Sequence, residues 1–295
     1  NGKLSLKLSI PLYEGGKGRV AGAYQFANNT VVINPELPAV EQAGGRVEFT
    51  ESSVRVQSIS GVVLGGPVTI ATTTARDAAV RVTLQGRINP DSALRGPGPS
   101  WVRHLRGSTD WRAVINARKR NADIVIESNL QGLAVDLPAP AVKTAAESIP
   151  LRIERRLLAA NQDRLSLSLG EIVSMNLLRH SEGGHSVITH GTVRFGGAAA
   201  EPDRNGVWVS GAVKTLDVDR WLAFSGQVGG DTRIEWGGVD VKLGALDVFR
   251  RRFSEVAVNA AMQGGQWRGS LSGKELEGTI TWQPQGRGRI FALMK

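Results

Sequence analysis

The chain has no cysteine among its 295 residues, which excludes disulfides, zinc–thiolate sites and thiol catalysis. No apolar run reaches the roughly 18 residues that would mark a membrane-spanning helix. Aromatic residues are scarce, and there are only four histidines. An initiator methionine and a signal peptide are also missing, and the chain opens directly on an alternating strand, Leu4, Leu6, Leu8, Ile10. It is therefore read as one piece of a longer protein.

What is present is glycine, alternation and positive charge. The apolar fraction of 41% is ample for a core and argues against global disorder. Thirty-six glycines suit many tight turns between short strands. The formal charge of +9 favours anionic partners such as nucleic acid or acidic headgroups. The bases are scattered, however, apart from Arg118-Lys119-Arg120 and Arg250-Arg251-Arg252. A scattered excess is what an ordinary solvated surface carries.

Period-two patterning dominates. Val54 and Val56 share a parity, as do Val68 and Ile70, then Val80, Val82 and Leu84. Ile124 and Ile126 follow, then Leu165, Leu167 and Leu169, then Val256 and Val258. Arg55, Thr69, Arg81, Thr83, Ser166 and Ser168 fall between them. Such alternation predicts sheets with one buried and one wet face, the habit of antiparallel pairing. Turns are expected at the glycine pairs 15–18, 44–45, 65–66, 183–184, 196–197, 229–230 and 264–265. Residues 114–127 read as a hairpin with its tip at 118–121.

Helix is expected only in short pieces, at 99–106, at 141–147 and best at 217–224. There Asp217 caps, and Val218, Trp221 and Leu222 fall on one side. Residues 157–161 are ambiguous. So few helices cannot roof so many strands. The predicted fold class is all-β: a long, curled, mostly antiparallel sheet, a half-barrel or groove, with a few short helices. Residues 1–295 read as one continuous β-groove fragment, with internal joints near 95–100 and 197–206. Its apolar face must pack on a second sheet, close on itself, or meet something outside this chain.

Catalytic patterns fail at specific residues. His180, His185 and His190 are five apart, which converges on one metal neither on a strand nor on a helix. The string Gly269 to Gly273 has Leu271 where a hydrolase nucleophile belongs. Gly273-Lys274 is followed by Glu275, not the Ser or Thr of a phosphate loop, and Gly16, Gly18 and Gly22 miss the dinucleotide spacing. Asp217 and Asp219 suit a cap and a solvated charge better than an acid/base pair. No catalytic residue, metal or cofactor is expected, and the chain is read as a non-enzyme. Seven tryptophans suit core packing or, alternatively, an amphipathic lining.

The stretch SNLQGLAVDLPAPAVKTAAESIPLRIE, residues 128–154, closely resembles a signature of the YhdP branch of the AsmA-like proteins of the Gram-negative envelope. Other stretches agree in order: LSLKLSIPL (4–12), GRVEFTESSVRVQSISGVVLGGPVTI (45–70), GSTDWRAVI (107–115), LDVDRWLAF (216–224), LGALDVFRRRFSEVAVNAAMQGGQWRGSL (243–271) and ELEGTITWQPQGRGRI (275–290). No single motif is chemically specific; the ordered set is.

The resemblance implies a bridge-like lipid transport protein of the periplasm, anchored in the inner membrane. Phospholipid would move between inner and outer membrane along an apolar β-groove. The implied partners are phospholipids, the inner-membrane anchor and further β segments of the longer protein; nucleic acid is not among them. On this reading the strand parities select the lining: Val54, Val56, Val68, Ile70, Val80, Val82, Leu84, Ile124, Ile126, Leu165, Leu167 and Leu169. The same parities fit the core of a closed sandwich. Arg118, Lys119 and Arg120 are candidates for contact with acidic headgroups, or a plain soluble loop end. Two other readings stand beside this one: a structural or assembly factor for outer-membrane biogenesis, and a basic nucleic-acid-binding β protein.

Overall fold

The computed structural model describes residues 2–10, 18–32, 37–51, 53–74, 80–95, 100–118, 121–183, 185–225, 232–283 and 289–294. Of these, 71% are strand and 6% helix, so the all-β reading holds and helix cannot form a covering layer. By density of contacts the chain divides into two compact units: Asn1–Leu133 with Ala145–Ser148, and Ala134–Thr144 with Ile149–Lys295. Residues 96–99, within the joint expected near 95–100, lie outside the described residues.

The first unit is an antiparallel meander. Its strands are β1 (Gly2–Ser9), β2 (Arg19–Val31), β3 (Val40–Thr50), β4 (Val54–Val63), β5 (Gly66–Thr74), β6 (Val80–Ile88), a short β7 (Leu105–Gly107), β8 (Thr109–Arg118) and β9 (Asn121–Ser128). Apart from β7, each pairs with the next. The expected hairpin over 114–127 forms, with Ile115 opposite Ile124; 119–120 of its tip lie outside the described residues. Leu64 and Gly65 make the β4–β5 turn with φ of 48° and 75°. Beside this turn sits α1 (Pro90–Ala93), which the sequence reading did not foresee. Asn89 caps it by accepting from the Ser92 N–H, and the Asn89 N–H donates to the Leu64 carbonyl.

Strand β10 (Leu133–Val135) opens an irregular connection. The helix expected over 141–147 is absent: Lys143 instead bridges to Val135, and the two backbone hydrogen bonds between them, 2.8 and 3.0 Å, take groups that a helix would need. Residues 157–161 form the end of a strand and a turn.

In the second unit β11 (Leu151–Ala159), β12 (Gln162–Leu169), β13 (Val173–Glu182) and β14 (His185–Phe195) form an antiparallel run. Then the direction changes. Strand β14 pairs in parallel with β15 (Gly206–Asp217) and with the short β16 (Arg233–Ile234), and β15 pairs in parallel with β17 (Trp236–Val248). Strands β18 (Arg251–Gln263), β19 (Gln266–Ser272), β20 (Glu277–Gln283) and β21 (Arg289–Met294) resume the antiparallel order.

A parallel step needs a crossover rather than a tight turn. The first crossover, 196–205, is held by side chains of the sheet. Ser174 Oγ donates to the Gly197 carbonyl at 2.6 Å, and Asn176 Nδ2 to those of Ala199 and Ala200 at 3.1 Å each. Arg164 pairs with Glu201 at 2.8 Å. The second crossover carries α2 (Val218–Ser225). Asp217 caps it as expected, accepting from the Arg220 N–H at 2.9 Å, and Trp221 Nε1 donates to the Ala139 carbonyl at 2.8 Å. Leu222 departs from its expected inward side: it is exposed, because Val218 and Trp221 already occupy the packed side of this short helix.

Of the expected glycine turns, 264–265 forms with positive φ at both residues. Gly44 and Gly45 do not turn the chain. They lie inside β3, where the register slips against β4, so they serve a bulge. The expected turns at 15–17, 184 and 229–230 lie outside the described residues.

Candidate functional site

Directly opposed strand residues share a face, so the pairing register sorts each sheet into two surfaces. In the first unit one row runs Ile70, Leu84, Ala113, Ile126 and the next runs Thr72, Val82, Ile115, Ile124. The opposite face carries Thr69, Gln85, Arg112, Glu127 and Thr73, Arg81, Asn116, Asp123. There Arg87 and Asp110, also opposed, form a two-bond pair at 2.8 and 3.2 Å.

The second unit is sorted more sharply. From β11 to β20 one row reads Ile153, Leu167, Met175, Val193, Val209, Val239, Ala260, Gly269, Ile280. The row behind it reads Arg152, Ser168, Ser174, Arg194, Ser210, Asp240, Asn259, Ser270, Thr279. The 196–205 crossover is tied to Arg164, Ser174 and Asn176, so it lies on the polar face, while Leu177 and Val207 on the other face are buried.

Burial separates the expected lining residues. Val68, Ile70, Leu84 and Ile124 are buried, in one cluster with Phe26, Val40 and Ala43. Exposures of 8% or less place these four in the packed interior of the first unit. Val82 and Ile126 pack against the cluster half-buried, and Val56 and Val80 are also half-buried. Leu165, Leu167 and Leu169, all half-buried, stand on the second unit instead. The side chains of Val54 and Arg118 lie outside the described set, as do Lys119 and Arg120 entirely.

The apolar face of the first unit continues to its outermost strand. Leu4, Tyr24, Val47 and Val56 form one row, and Tyr24 stacks on Phe26 at 5.6 Å. On β1, Leu4, Leu6 and Leu8 are 51–59% exposed. Three adjacent leucines on an edge strand are an apolar surface presented to solvent. Two hollows have mixed linings. One of about 570 Å³ sets Leu6, Ala21, Ala23 and Phe49 beside Ser5, Lys7, Arg46, Glu48 and Arg55. Another of about 380 Å³ lies beside the crossover, where Leu167, Met175, Ala198 and Ala199 meet Arg152, Glu154, Ser168 and Asn176.

One cluster escaped the sequence reading. Asp163 is 4% exposed and lies opposite both Leu157 and Arg179, on the face that carries Leu165, Leu167 and Leu169. Arg179 holds it through Nε–Oδ1 at 2.9 Å and Nη2–Oδ2 at 2.7 Å, and Arg155 Nε reaches Oδ2 at 2.5 Å. Burial works to raise the Asp163 pKa, but hydrogen bonds from Arg179 and Arg155 and the charge of both outweigh it. The carboxyl therefore titrates below its ordinary value. A sequence signal existed: Asp163 continues the parity of the three leucines, where an unpaired charge would be costly.

Among the described residues no group of three or more His, Cys, Asp or Glu side chains is placed to hold a metal. No described helix is long and apolar enough to cross a membrane, which says nothing of strands. A family model described as "YhdP protein" matches residues 1–295. No curated protein and no solved structure matches the chain.

Proposed function

The chain belongs to the YhdP family, and on that premise we propose that it is a non-enzymatic lipid conduit, holding phospholipid acyl chains against its apolar strand faces. Family membership fits an envelope-associated protein. The proposed setting is the periplasm, with the longer protein anchored in the inner membrane and lipid passing between the two membranes.

The observation that supports this reading is the two-row pattern of the second unit. Leu151, Leu169 and Val173 form one opposed set, and Ile153, Leu167 and Met175 the next. All six are half-buried, an intermediate state that suits a surface meeting an apolar guest. The buried residues of the first unit, Val68, Ile70, Leu84 and Ile124, belong to its packed core, while half-buried Val56, Val82 and Ile126 and the exposed β1 leucines offer the accessible apolar surface.

The energetics favour such a track. Each CH₂ drawn into water costs about 0.8 kcal/mol, so two long acyl chains crossing water bare face a barrier on the order of 20 kcal/mol. Contact with aliphatic side chains removes most of it. Apolar burial and dispersion have little directionality, so successive contacts are interchangeable and a chain can slide. No bond is made or broken, and no residue is assigned a catalytic role.

The test is organic extraction of the purified protein followed by mass spectrometry. Phospholipid at near-stoichiometric amount is the expected result. Protein that emerges lipid-free and takes up none from phospholipid vesicles contradicts the proposal.

A further inference from the structure

We propose that Arg155, Asp163 and Arg179 form a binding site for the phosphodiester headgroup of a lipid whose acyl chains lie along β12. This assignment rests on the lipid-conduit reading and adds the headgroup chemistry to it.

The first argument is placement. The three side chains sit on the apolar face: Arg155 is opposite Leu165, and Asp163 opposite Arg179. A charged cluster on such a surface carries a desolvation cost that hydrophobic replacements of similar size would avoid. A perturbed, partnered carboxylate in such a place is a candidate for a functional site.

The second argument is charge and geometry. Two guanidiniums and one carboxylate sum to +1, the complement of a phosphodiester's single negative charge. Arg179 is fixed by two bonds to Asp163, and Arg155 is drawn to the same carboxylate by its Nε. Asp163 thus sets both planar forks before any ligand arrives, and guanidinium is the side chain whose shape matches phosphate oxygens. Partial neutralisation by Asp163 keeps the attraction moderate, as a site that must release its ligand requires.

The third argument is length. The six steps from Asp163 to Leu169 span about 20 Å at the rise of a strand. One leaflet of bilayer hydrocarbon is about 15 Å thick. A phosphate at the cluster therefore lets its tails run over Leu165, Leu167 and Leu169 within the length of β12.

An independent observation marks the same level of the sheet. The row holding Arg155 continues through Leu165, Leu177, Gly191 and Val207 to Trp236. Trp236 lies 6.2 Å from Trp267, which is directly opposite Trp282. Trp236 and Trp282 are 42% and 41% exposed. Indole rings favour the level where hydrocarbon gives way to water and headgroups, so cations on β11 to β13 and indoles on β17 to β20 mark one such level.

The test compares uptake of a fluorescent phosphatidylglycerol and of a diacylglycerol with the same chains by the whole 295-residue chain. The expected result is preference for the phospholipid by about tenfold, the equivalent of one charge-assisted hydrogen bond. That preference should disappear in Arg155→Gln, with diacylglycerol uptake unchanged, and return in part in Arg155→Lys. Arg155 is the more exposed of the two arginines, and circular dichroism checks that its variants keep the fold. Equal uptake of both lipids by the native chain overturns the headgroup site and leaves the conduit standing. So does a preference that survives Arg155→Gln. Uptake of neither lipid overturns the conduit and this site with it. Inorganic phosphate whose ³¹P signal broadens with the native chain and not with Arg155→Gln, without any phospholipid preference, assigns the cluster to free phosphate and overturns the lipid assignment.

Discussion

Arg179 grips Asp163 through two bonds from directly opposed positions on β13 and β12, Nε–Oδ1 at 2.9 Å and Nη2–Oδ2 at 2.7 Å. Asp163 is buried, and the pair lies beside Arg155 on a face that otherwise carries aliphatic side chains. Removing one partner there leaves charge without compensation, and such losses are large. Asp163→Ala strands two guanidiniums facing each other, and the expected cost is about 3–5 kcal/mol, read as a fall in the urea midpoint.

The same carboxylate gives a pH signature. Its pKa is depressed in the folded chain, because the hydrogen bonds from Arg179 and Arg155 outweigh the opposing effect of burial. The resulting stabilisation is complete above the unfolded value, near pH 4, and is lost as pH falls through the folded value. Acid titration of stability should show the native chain losing more than Asp163→Asn below about pH 4, and the two curves running parallel at neutral pH. Identical slopes in acid would show that Asp163 is not held as described.

Asp219 supports a strained turn. Its two oxygens accept from the N–H groups of Phe249 and Arg250 at 3.0 and 2.9 Å, and both residues have positive φ, 53° and 60°. Neither is glycine or asparagine, so the conformation is costly by itself. Asp219→Ala should destabilise by about 1–2 kcal/mol. Arg250→Gly should recover much of that loss, since glycine enters the conformation freely. A double-mutant cycle by denaturation measures both.

Gly65 has φ of 75°, and a Cβ there would lie 2.3 Å from the Ala93 nitrogen and 2.4 Å from the Asn89 carbonyl oxygen. Both contacts are backbone and cannot swing aside. Gly65→Ala should therefore displace α1 and destabilise by more than the roughly 1 kcal/mol that a strained φ alone costs. Loss of amide protection in 89–94, seen by hydrogen exchange, would locate the damage.

The alternation of Val80, Val82 and Leu84, or of Leu165, Leu167 and Leu169, made the two-faced sheets legible in the sequence, because period two reports the pleat directly. The Asp217 cap of α2 was legible for the same local reason. Register was not. Asp163 meets Arg155 and Arg179 only once β11, β12 and β13 are aligned, and alignment depends on turns and bulges that composition does not encode. Gly44 and Gly45 show the limit in reverse: a glycine pair serves a bulge as well as a turn, and only the partner strand decides. The parallel steps at β14–β15 and β15–β17 were likewise hidden, since 196–205 carries no helix to announce a crossover. Which aliphatic residues are sealed and which remain accessible depends on what packs against them in the fold, so Leu84 and Leu167 look alike in sequence and differ in burial.

That difference predicts opposite failures. Leu84 is 5% exposed within the first unit's cluster, and Leu84→Asp should unfold that unit, because a buried carboxylate without a partner is not tolerated. Leu167, half-buried on the apolar face of the second unit, should accept aspartate with the fold retained, as judged by circular dichroism and thermal midpoint.

The most direct test of the conduit uses two neighbours on opposite faces. Leu167 belongs to the apolar row and Ser166 to the polar one, opposite Asn176. Phospholipid bound by Leu167→Asp and by Ser166→Asp should be quantified by mass spectrometry at matched folding. The account predicts that Leu167→Asp loses its lipid while Ser166→Asp keeps the native amount. Equal retention in both variants, or equal loss, would contradict it.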